Sequence, residues 1–431
     1  MLKTLEFLSF TDPNVRFVVF GCMLLAAGAA IVGCFTFLRK RALVGDAVAH
    51  SILPGVALAF IFFQTKSPLV LLSGAFISGW LSILSIDFIT RRSRIKSDTA
   101  IGLVLTVFFG IGILLMTTIQ HSGNAAQSGL DKFIFGSASS LMRADVWTFG
   151  AVSIVLILVV AGLFKEFTLI SFDINFAVTA GLPVKMLEFI LATLTVLAIA
   201  VGIQAVGVVL MAALLITPAA AARFWTDNLR VMVILAALFG AFSGIAGAYV
   251  SFVAPNMPTG PWIVVVLSAI AFFSIFFAPK KGLYLRLVSK RRTRQRMLGE
   301  NILKEFYHLG EIDGKFLHKR SLAELLDHRD LPKNKLMAGM KKLDRNGFME
   351  SEGKGWKLTD EGLAEGQRIT RLHRLWELYL TRYLNIAPDH VHDDAEAIEH
   401  VITPEIEARL EALLEYPEMD PHNTQIPGRK V

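Results

Sequence analysis

Asp46 and His50 stand four residues apart in the run LVGDAVAHSILPG, residues 43–55. In a helix that spacing puts both side chains on one face, one turn apart. The surrounding residues are apolar, and a carboxylate at hydrocarbon depth costs roughly 2.5 to 3.5 kcal/mol on insertion scales. Either something polar passes or binds there, or the two groups satisfy each other or a neighbouring backbone group. A second constellation lies far downstream. His373 and Glu377 are again four apart, and His392, Glu396, Glu399 and His400 follow at spacings of four, three and four. Six ligand-capable side chains within the 28 residues 373–400 exceed what a solvated helix face needs.

The elements that must hold these residues follow from composition. With 54% hydrophobic residues over 431 positions and a mean hydropathy of +0.54, the chain is too apolar for a soluble protein of its length. It is a membrane protein, yet its apolar character stops near Lys280 and the rest is charged and histidine-rich. Nine apolar runs are expected to cross, at about 17–38, 43–63, 67–90, 99–119, 146–164, 186–206, 208–225, 229–252 and 261–279, with eight to ten crossings admissible. Arg39, Lys40, Arg41, Arg91, Arg92, Arg94, Lys96, Lys165, Lys185, Arg223, Arg230, Lys280 and Lys281 then share one side, which the positive-inside rule makes the cytoplasm. The tail is accordingly expected in the cytoplasm. Residues 1–14 carry no basic cluster, so no cleavable leader is expected, and Cys22 and Cys34 are too far apart along one helix to pair.

Punctuation refines the picture. Pro54 with Gly55, and Thr217 with Pro218, are expected to break their helices and free backbone carbonyls, while Asp98 reads as an N-cap. In the loop SFDINFAVTAGLPVKM, Asp173 caps a short helix running to Ala180, and Gly181 with Pro183 ends it. That element has the character of a docking knob for a soluble partner. Residues 280–296 carry eight Lys or Arg residues, which suits anchoring to anionic membrane lipids. From Leu298 the pattern is three helices and a hairpin over Glu350–Leu358, turned at Gly353 or Gly355, which is a winged helix. Lys333, Asn334, Lys335, Lys341 and Lys342 on its third helix are candidate DNA contacts, with Arg345 nearby.

Residues 1–282 resemble the permease subunits of ATP-binding-cassette importers for zinc, manganese or iron. The resemblance rests on LVGDAVAHSILPGVAL, IKSDTAIGLVL, FIFGSASSL, SFDINFAVTAGLPV, VGVVLMAALLITPAAAAR and MPTGPWIVV, in that order. It implies that Asp46 and His50 line the transport path as transient ligands. It also implies that Asp173, Phe176, Ala177, Gly181, Leu182 and Pro183 form the element that couples to a nucleotide-binding subunit. Imidazole with carboxylate suits zinc, manganese or ferrous iron and makes a poor calcium cage. The chain has no Walker-type GxxxxGKS or GxxxxGKT run, so it is expected to be no enzyme and to take ATP only through a separate ATPase subunit. An extracytoplasmic metal-binding protein facing the loop His121–Asp145 is implied, as is a second permease copy or a paralogue.

Residues 298–427 resemble the diphtheria-toxin-repressor family of metal-dependent winged-helix regulators, through RLHRLWE, VHDDAEAIEH and PHNTQIP. By that resemblance His373, Glu377, His392, Glu396, Glu399 and His400 are metal ligands, and Glu396 in place of Cys leans the set towards manganese or iron over zinc. Asn301 and Lys304 fall where the family places two further donors, and a protonated lysine cannot ligate. The expected chain is thus mostly α. A polytopic membrane permease domain (1–282) and a basic juxtamembrane linker (283–297) are followed by a cytoplasmic winged-helix domain (298–365) and a small helical metal-binding and dimerisation domain (366–431). The function that follows is a bacterial inner-membrane permease for a divalent transition metal with a metal-sensing tail. The alternatives are a membrane-tethered, metal-responsive transcription repressor and a permease for a metal chelate.

Overall fold

The computed structural model describes residues 2–39, 42–65, 67–121, 143–254, 257–279, 281–328, 332–353, 355–384, 386 and 403–428. The FIFGSASSL run, most of the loop between His121 and Asp145, and all of His392, Glu396, Glu399 and His400 lie outside them. The chain divides into two compact units, Met1–Leu285 and Arg286–Val431.

In the first unit α1 (Leu2–Ser9) precedes α2 (Pro13–Leu38), α3 (Ala42–Phe63), α4 (Pro68–Arg92), α5 (Ser97–His121), α6 (Arg143–Gly162), α7 (Phe164–Phe172), α8 (Ile174–Thr179), α9 (Val184–Val206), α10 (Val208–Trp225), α11 (Leu229–Val253) and α12 (Thr259–Phe277). Helix α2 starts where the Asn14 N–H donates to the Asp12 carboxylate at 2.8 Å and Pro13 fills the first helical position. It then runs through the middle of the bundle, with residues 28–36 buried throughout. Small residues make the approach of α11 possible: a β-carbon on Gly240 would lie 2.6 Å from the Ala26 carbonyl, and one on Gly244 would lie 2.7 Å from that of Cys22. Glycine does the same for α3 and α4, because a β-carbon on Gly55 would lie 2.0 Å from the Gly74 carbonyl. Phe62, Leu69, Ile77, Leu84 and Phe88 point outward, as a hydrocarbon solvent requires. Both cysteines are free thiols.

Among the described residues, eight helices are long and apolar enough to cross a membrane. The ninth expected crossing corresponds to α10, whose stretch Leu210–Trp225 is shorter. Its burial accounts for this: Met211, Leu214, Leu215, Ala219 and Ala222 are fully covered by neighbouring helices, so α10 is an inner element. Gly207, at φ +92°, turns the chain between α9 and α10. The expected breaks at Pro54 and Pro218 do not occur, since α3 and α10 continue through them. Each proline costs its helix one i→i−4 hydrogen bond without ending it. Asp98 lies inside the first turn of α5, complementing the helix dipole instead of capping it. Helix α1 was not expected; Phe7 packs edge-on to Tyr249 of α11 at 5.1 Å.

The second unit contains most of α13 (Leu283–Asp313), then β1 (Arg320–Ser321), α14 (Leu322–His328), α15 (Lys333–Arg345), β2 (Met349–Glu352), β3 (Gly355–Leu358), α16 (Asp360–Leu384) and α17 (Pro404–Leu413). The strands are antiparallel in the order β1-β3-β2, with Met349 opposite Leu358 and Glu352 opposite Gly355. Gly353, at φ +64°, turns the hairpin. Ile302, Phe306, Leu336, Met340, Trp356 and Ile369 form the core of a winged helix. The basic stretch 283–297 is helical, continuous with the first winged-helix element, as its Arg, Lys, Gln and Leu residues favour. Helix α16 likewise runs unbroken through position 365 and carries Leu375 and Leu378 into a second core with Leu410, Leu414 and Ile426.

Gly55→Leu is expected to push α3 from α4 and lower the melting temperature of the detergent-solubilised chain by several degrees, in line with overpacking costs of about 1–3 kcal/mol. An unchanged melting curve would contradict the close approach.

Candidate metal path, coupling knob and tail site

Helix α3 sets the first site. Asp46 Oδ1 and His50 Nε2 are 3.6 Å apart on one face, flanked by the fully buried Ala47, Val48 and Ala49. Two ligands at about 2.1 Å from one ion, at a tetrahedral angle, stand about 3.4 Å apart. The observed spacing is close to that bite. The Asp46 side chain is 39% exposed and that of His50 is 17% exposed, so the pair opens to one side and is walled on the others. The Phe109 ring of α5 meets the imidazole edge-to-face at 4.9 Å and fixes its plane. His50 Nδ1 is buried and has no hydrogen-bond partner among the described residues. A buried polar atom left so costs about 1–3 kcal/mol, which a satisfied structural histidine would not leave uncompensated.

Two polar pairs that sequence reasoning missed join helices across the bundle. Arg39, at the end of α2, is paired with Glu188 of α9; the arginine side chain is 6% exposed. They line a cavity of about 40 Å³ with Thr36, Gly45 and Thr195, one residue from Asp46. Gln204 of α9 donates to the buried carboxylate of Asp145 at 3.0 Å. Arg39 had been legible only as one of the basic residues that set orientation.

The knob forms as its residues dictate. Asp173 accepts from the Phe176 N–H at 2.9 Å, capping α8, and Gly181 at φ +78° ends it. The Leu182 N–H closes the turn onto the Ala177 carbonyl at 3.1 Å. Ala177 is buried against Phe167, Ile170 and Leu187, and Leu182 packs on the same cluster, while Pro183 caps α9. Phe176 and Val178 are each 58% exposed, so the knob presents an apolar surface outward.

In the second unit α15 buries Leu336, Gly339, Met340 and Leu343. It leaves Lys333, Asn334, Lys335, Lys341 and Lys342 exposed on its other face, where Lys342 Nζ donates to Gln295 at 3.0 Å. On α16, His373 Nε2 lies 3.1 Å from Glu377 Oε1, with both side chains buried. Lys304 of α13 places its Nζ 3.5 Å from His373 Nδ1. Among the described residues no group of three or more His, Cys, Asp or Glu side chains is arranged to hold a metal. Beside the pair, Arg374 donates to both oxygens of Glu311 at 2.9 and 2.7 Å and to the Gln425 carbonyl at 2.6 Å. Burial acts to raise the Glu311 pKa, but hydrogen bonds from His308 and Arg374 outweigh it and hold the carboxyl below its ordinary value. The hydrogen bond to Glu311 raises the pKa of His308 in turn.

A polytopic helical bundle with an acid–imidazole pair in one helix, joined to a winged-helix tail, defines a transport permease with a regulatory module. Residues 11–278 match the model of the ABC 3 transport family, and the chain belongs to that family. Residues 359–428 match the iron dependent repressor, metal binding and dimerisation domain. The manganese transport system membrane protein MntC of Bacillus subtilis (strain 168) is 40% identical over 381 residues, 88% of this chain and 87% of that protein. The zinc transport system membrane protein TroC of Treponema pallidum (strain Nichols) is 44% identical over 283 residues, 66% of this chain and 95% of its own length. Among solved structures, PsaBC from Streptococcus pneumoniae in complex with Fab superposes with a TM-score of 0.59 at 32% identity, covering 66% of this chain and 99% of that one.

Because the Glu311 carboxyl is held low, its contribution to stability is present above the ordinary carboxylate pKa of about 4.3 and is lost as pH falls through the lowered value. Glu311→Gln should therefore remove part of the acid sensitivity of tail unfolding, followed by the Trp356 and Trp376 fluorescence of the full chain. Identical acid transitions in both proteins would contradict this.

Proposed function

We propose that this chain is the permease subunit of an ATP-driven importer of a divalent transition metal, manganese, zinc or iron, in a bacterial inner membrane. The reading is carried by one observation, the 3.6 Å spacing of Asp46 Oδ1 and His50 Nε2 on one open face of α3. Its support is the family match and the manganese and zinc transport named for the two relatives. Asp46 and His50 take the bare ion transiently: two protein ligands attract a borderline cation while leaving most of its coordination sphere exchangeable, so the ion is passed on. Phe109 keeps the imidazole aimed at the path.

The energy comes from a separate ATPase subunit that receives the knob. Phe176 and Val178 enter its surface, while the Asp173 cap, the Gly181 turn and the Ala177, Leu182 and Pro183 anchor keep the knob rigid enough to transmit a displacement into α9. An extracytoplasmic metal-binding protein delivers the ion, and a second permease, a copy or a paralogue, completes the path on the open side of Asp46. The tail lies in the cytoplasm as a metal-sensing regulatory module. Its donors are His373 and Glu377 on α16, with His392, Glu396, Glu399 and His400 in the same stretch. The exposed lysines of α15 support a second role, docking on DNA, for which their phosphate-seeking charge is suited.

The transport reading is tested in proteoliposomes carrying the full importer. Asp46→Ala and His50→Ala should each cut metal-dependent uptake at least about tenfold, the loss of roughly 1.4 kcal/mol or more of ion stabilisation, while assembly and ATP hydrolysis persist. Uptake at the wild-type rate in the double variant would overturn it.

A further inference from the structure

The knob ends at Pro183 and α9 begins at the next residue, so the chain passes from one to the other without slack. Leu187 of α9 is buried in the same cluster as Ala177 of the knob, and its N–H donates to the Pro183 carbonyl at 3.1 Å. A displacement of the knob is therefore a displacement of the first turns of α9. Glu188 comes next, and its carboxylate pairs with Arg39 at the end of α2. Little solvent reaches this pair, whose side chains are 6% exposed for the arginine and 22% for the glutamate. Thr36 and Thr195 line the same cavity, but their hydroxyls donate to the Gly33 and Leu191 carbonyls of their own helices at 3.0 and 2.8 Å. Neither offers its proton to a Glu188 carboxylate parted from Arg39. Separating such a pair leaves two uncompensated charges, so α9 and the end of α2 move together.

The other end of the link is the ion site. Arg39 is the C-cap of α2, and in sequence only residues 40 and 41 separate it from α3. Val44 and Gly45 of α3 line the cavity beside the pair, and Asp46 follows. A β-carbon on Gly45 would lie 2.8 Å from the Leu215 side chain of α10. The start of α3 is thus flanked by the ion pair and by α10, and a shift of the pair bears on the turn that carries Asp46. The neighbouring contact from α9, Phe189 against Trp80 at 4.6 Å, is apolar and leads to a different helix, α4.

We propose that Arg39 and Glu188 are the positioning residues that carry the knob's movement to the ion ligand Asp46, so that ATP hydrolysis by the partner subunit changes the fit of the Asp46–His50 pair. This deepens the transport reading, on which it rests. The ion pair acts through the helix turn of Asp46 and does not itself hold the transported ion.

The test uses proteoliposomes holding the full importer, with manganese or zinc uptake and ATP hydrolysis measured on the same vesicles. Arg39→Gln combined with Glu188→Gln leaves no lone buried charge, so the bundle stays intact and only the link is lost. This doubly neutral variant should hydrolyse ATP near the wild-type rate yet move at least about tenfold fewer ions per ATP, with the half-saturating ion concentration unchanged because Asp46 and His50 are intact. The charge exchange, Arg39→Glu with Glu188→Arg, rebuilds the pair and should recover about half of the wild-type ratio or more. Copurification with the ATPase subunit checks that each variant assembles. Wild-type coupling in the doubly neutral variant would overturn the proposal, as would a charge exchange that couples no better than it. A half-saturating concentration raised about tenfold in the doubly neutral variant would also overturn it, by making Glu188 an ion ligand. Wild-type vesicles that take up neither ion sink the transport reading and this inference with it, whereas full coupling without the pair sinks this inference alone.

Discussion

A carboxylate and an imidazole lie within a helix otherwise bounded by alanine, valine and isoleucine, and one ring nitrogen has no partner among the described residues. In water such a pair is unremarkable. At membrane depth no solvent supplies the missing bond, and the helix must be held by neighbours that tolerate the cost. The bundle around α3 meets that requirement with close packing. Gly55 against Gly74 brings α4 to backbone contact, and Gly112 of α5 receives Leu53 and Pro54. The wall is rigid because it is dense, and the rigidity keeps His50 Nε2 and Asp46 Oδ1 on one open face.

The chain treats buried charge in two ways. In the permease unit the α3 pair is left under-satisfied and opens to one side, which is what an ion in transit needs. In the tail, buried charges have protein counterparts: Arg374 with Glu311, Arg371 with Glu407, and His373 with Glu377 and Lys304. Buried pairs of this kind contribute little net stability over an apolar core, yet breaking one is costly, so they specify which helix faces which. An acid and a histidine at a four-residue spacing thus sit in two settings, one open to one side and one buried.

Much of this was legible because helical periodicity is local. The i, i+4 spacing alone put Asp46 with His50 and His373 with Glu377, and capping rules alone drew the knob from Asp173 to Gly181. What escaped the sequence depends on partners distant in the chain. Arg39 meets Glu188 across 149 positions and Arg374 meets Glu311 across 63, and no local pattern announces either. Pro54 and Pro218 were expected to interrupt their helices, but tertiary packing overrides the local penalty. The two-residue strand β1 is too short for an alternating pattern and exists only because Arg320 and Ser321 pair with β3. The basic stretch 283–297 looked like a tether by its charge, whereas its helix propensity carried it into α13.

The central claim, that Asp46 and His50 take up a bare divalent cation, is tested most directly by pulsed electron paramagnetic resonance of the manganese-loaded full chain in nanodiscs. With the tail histidines His373, His392 and His400 changed to Ala, the full chain should show hyperfine coupling from an imidazole nitrogen that disappears in His50→Gln. A spectrum unchanged by that substitution would contradict the account.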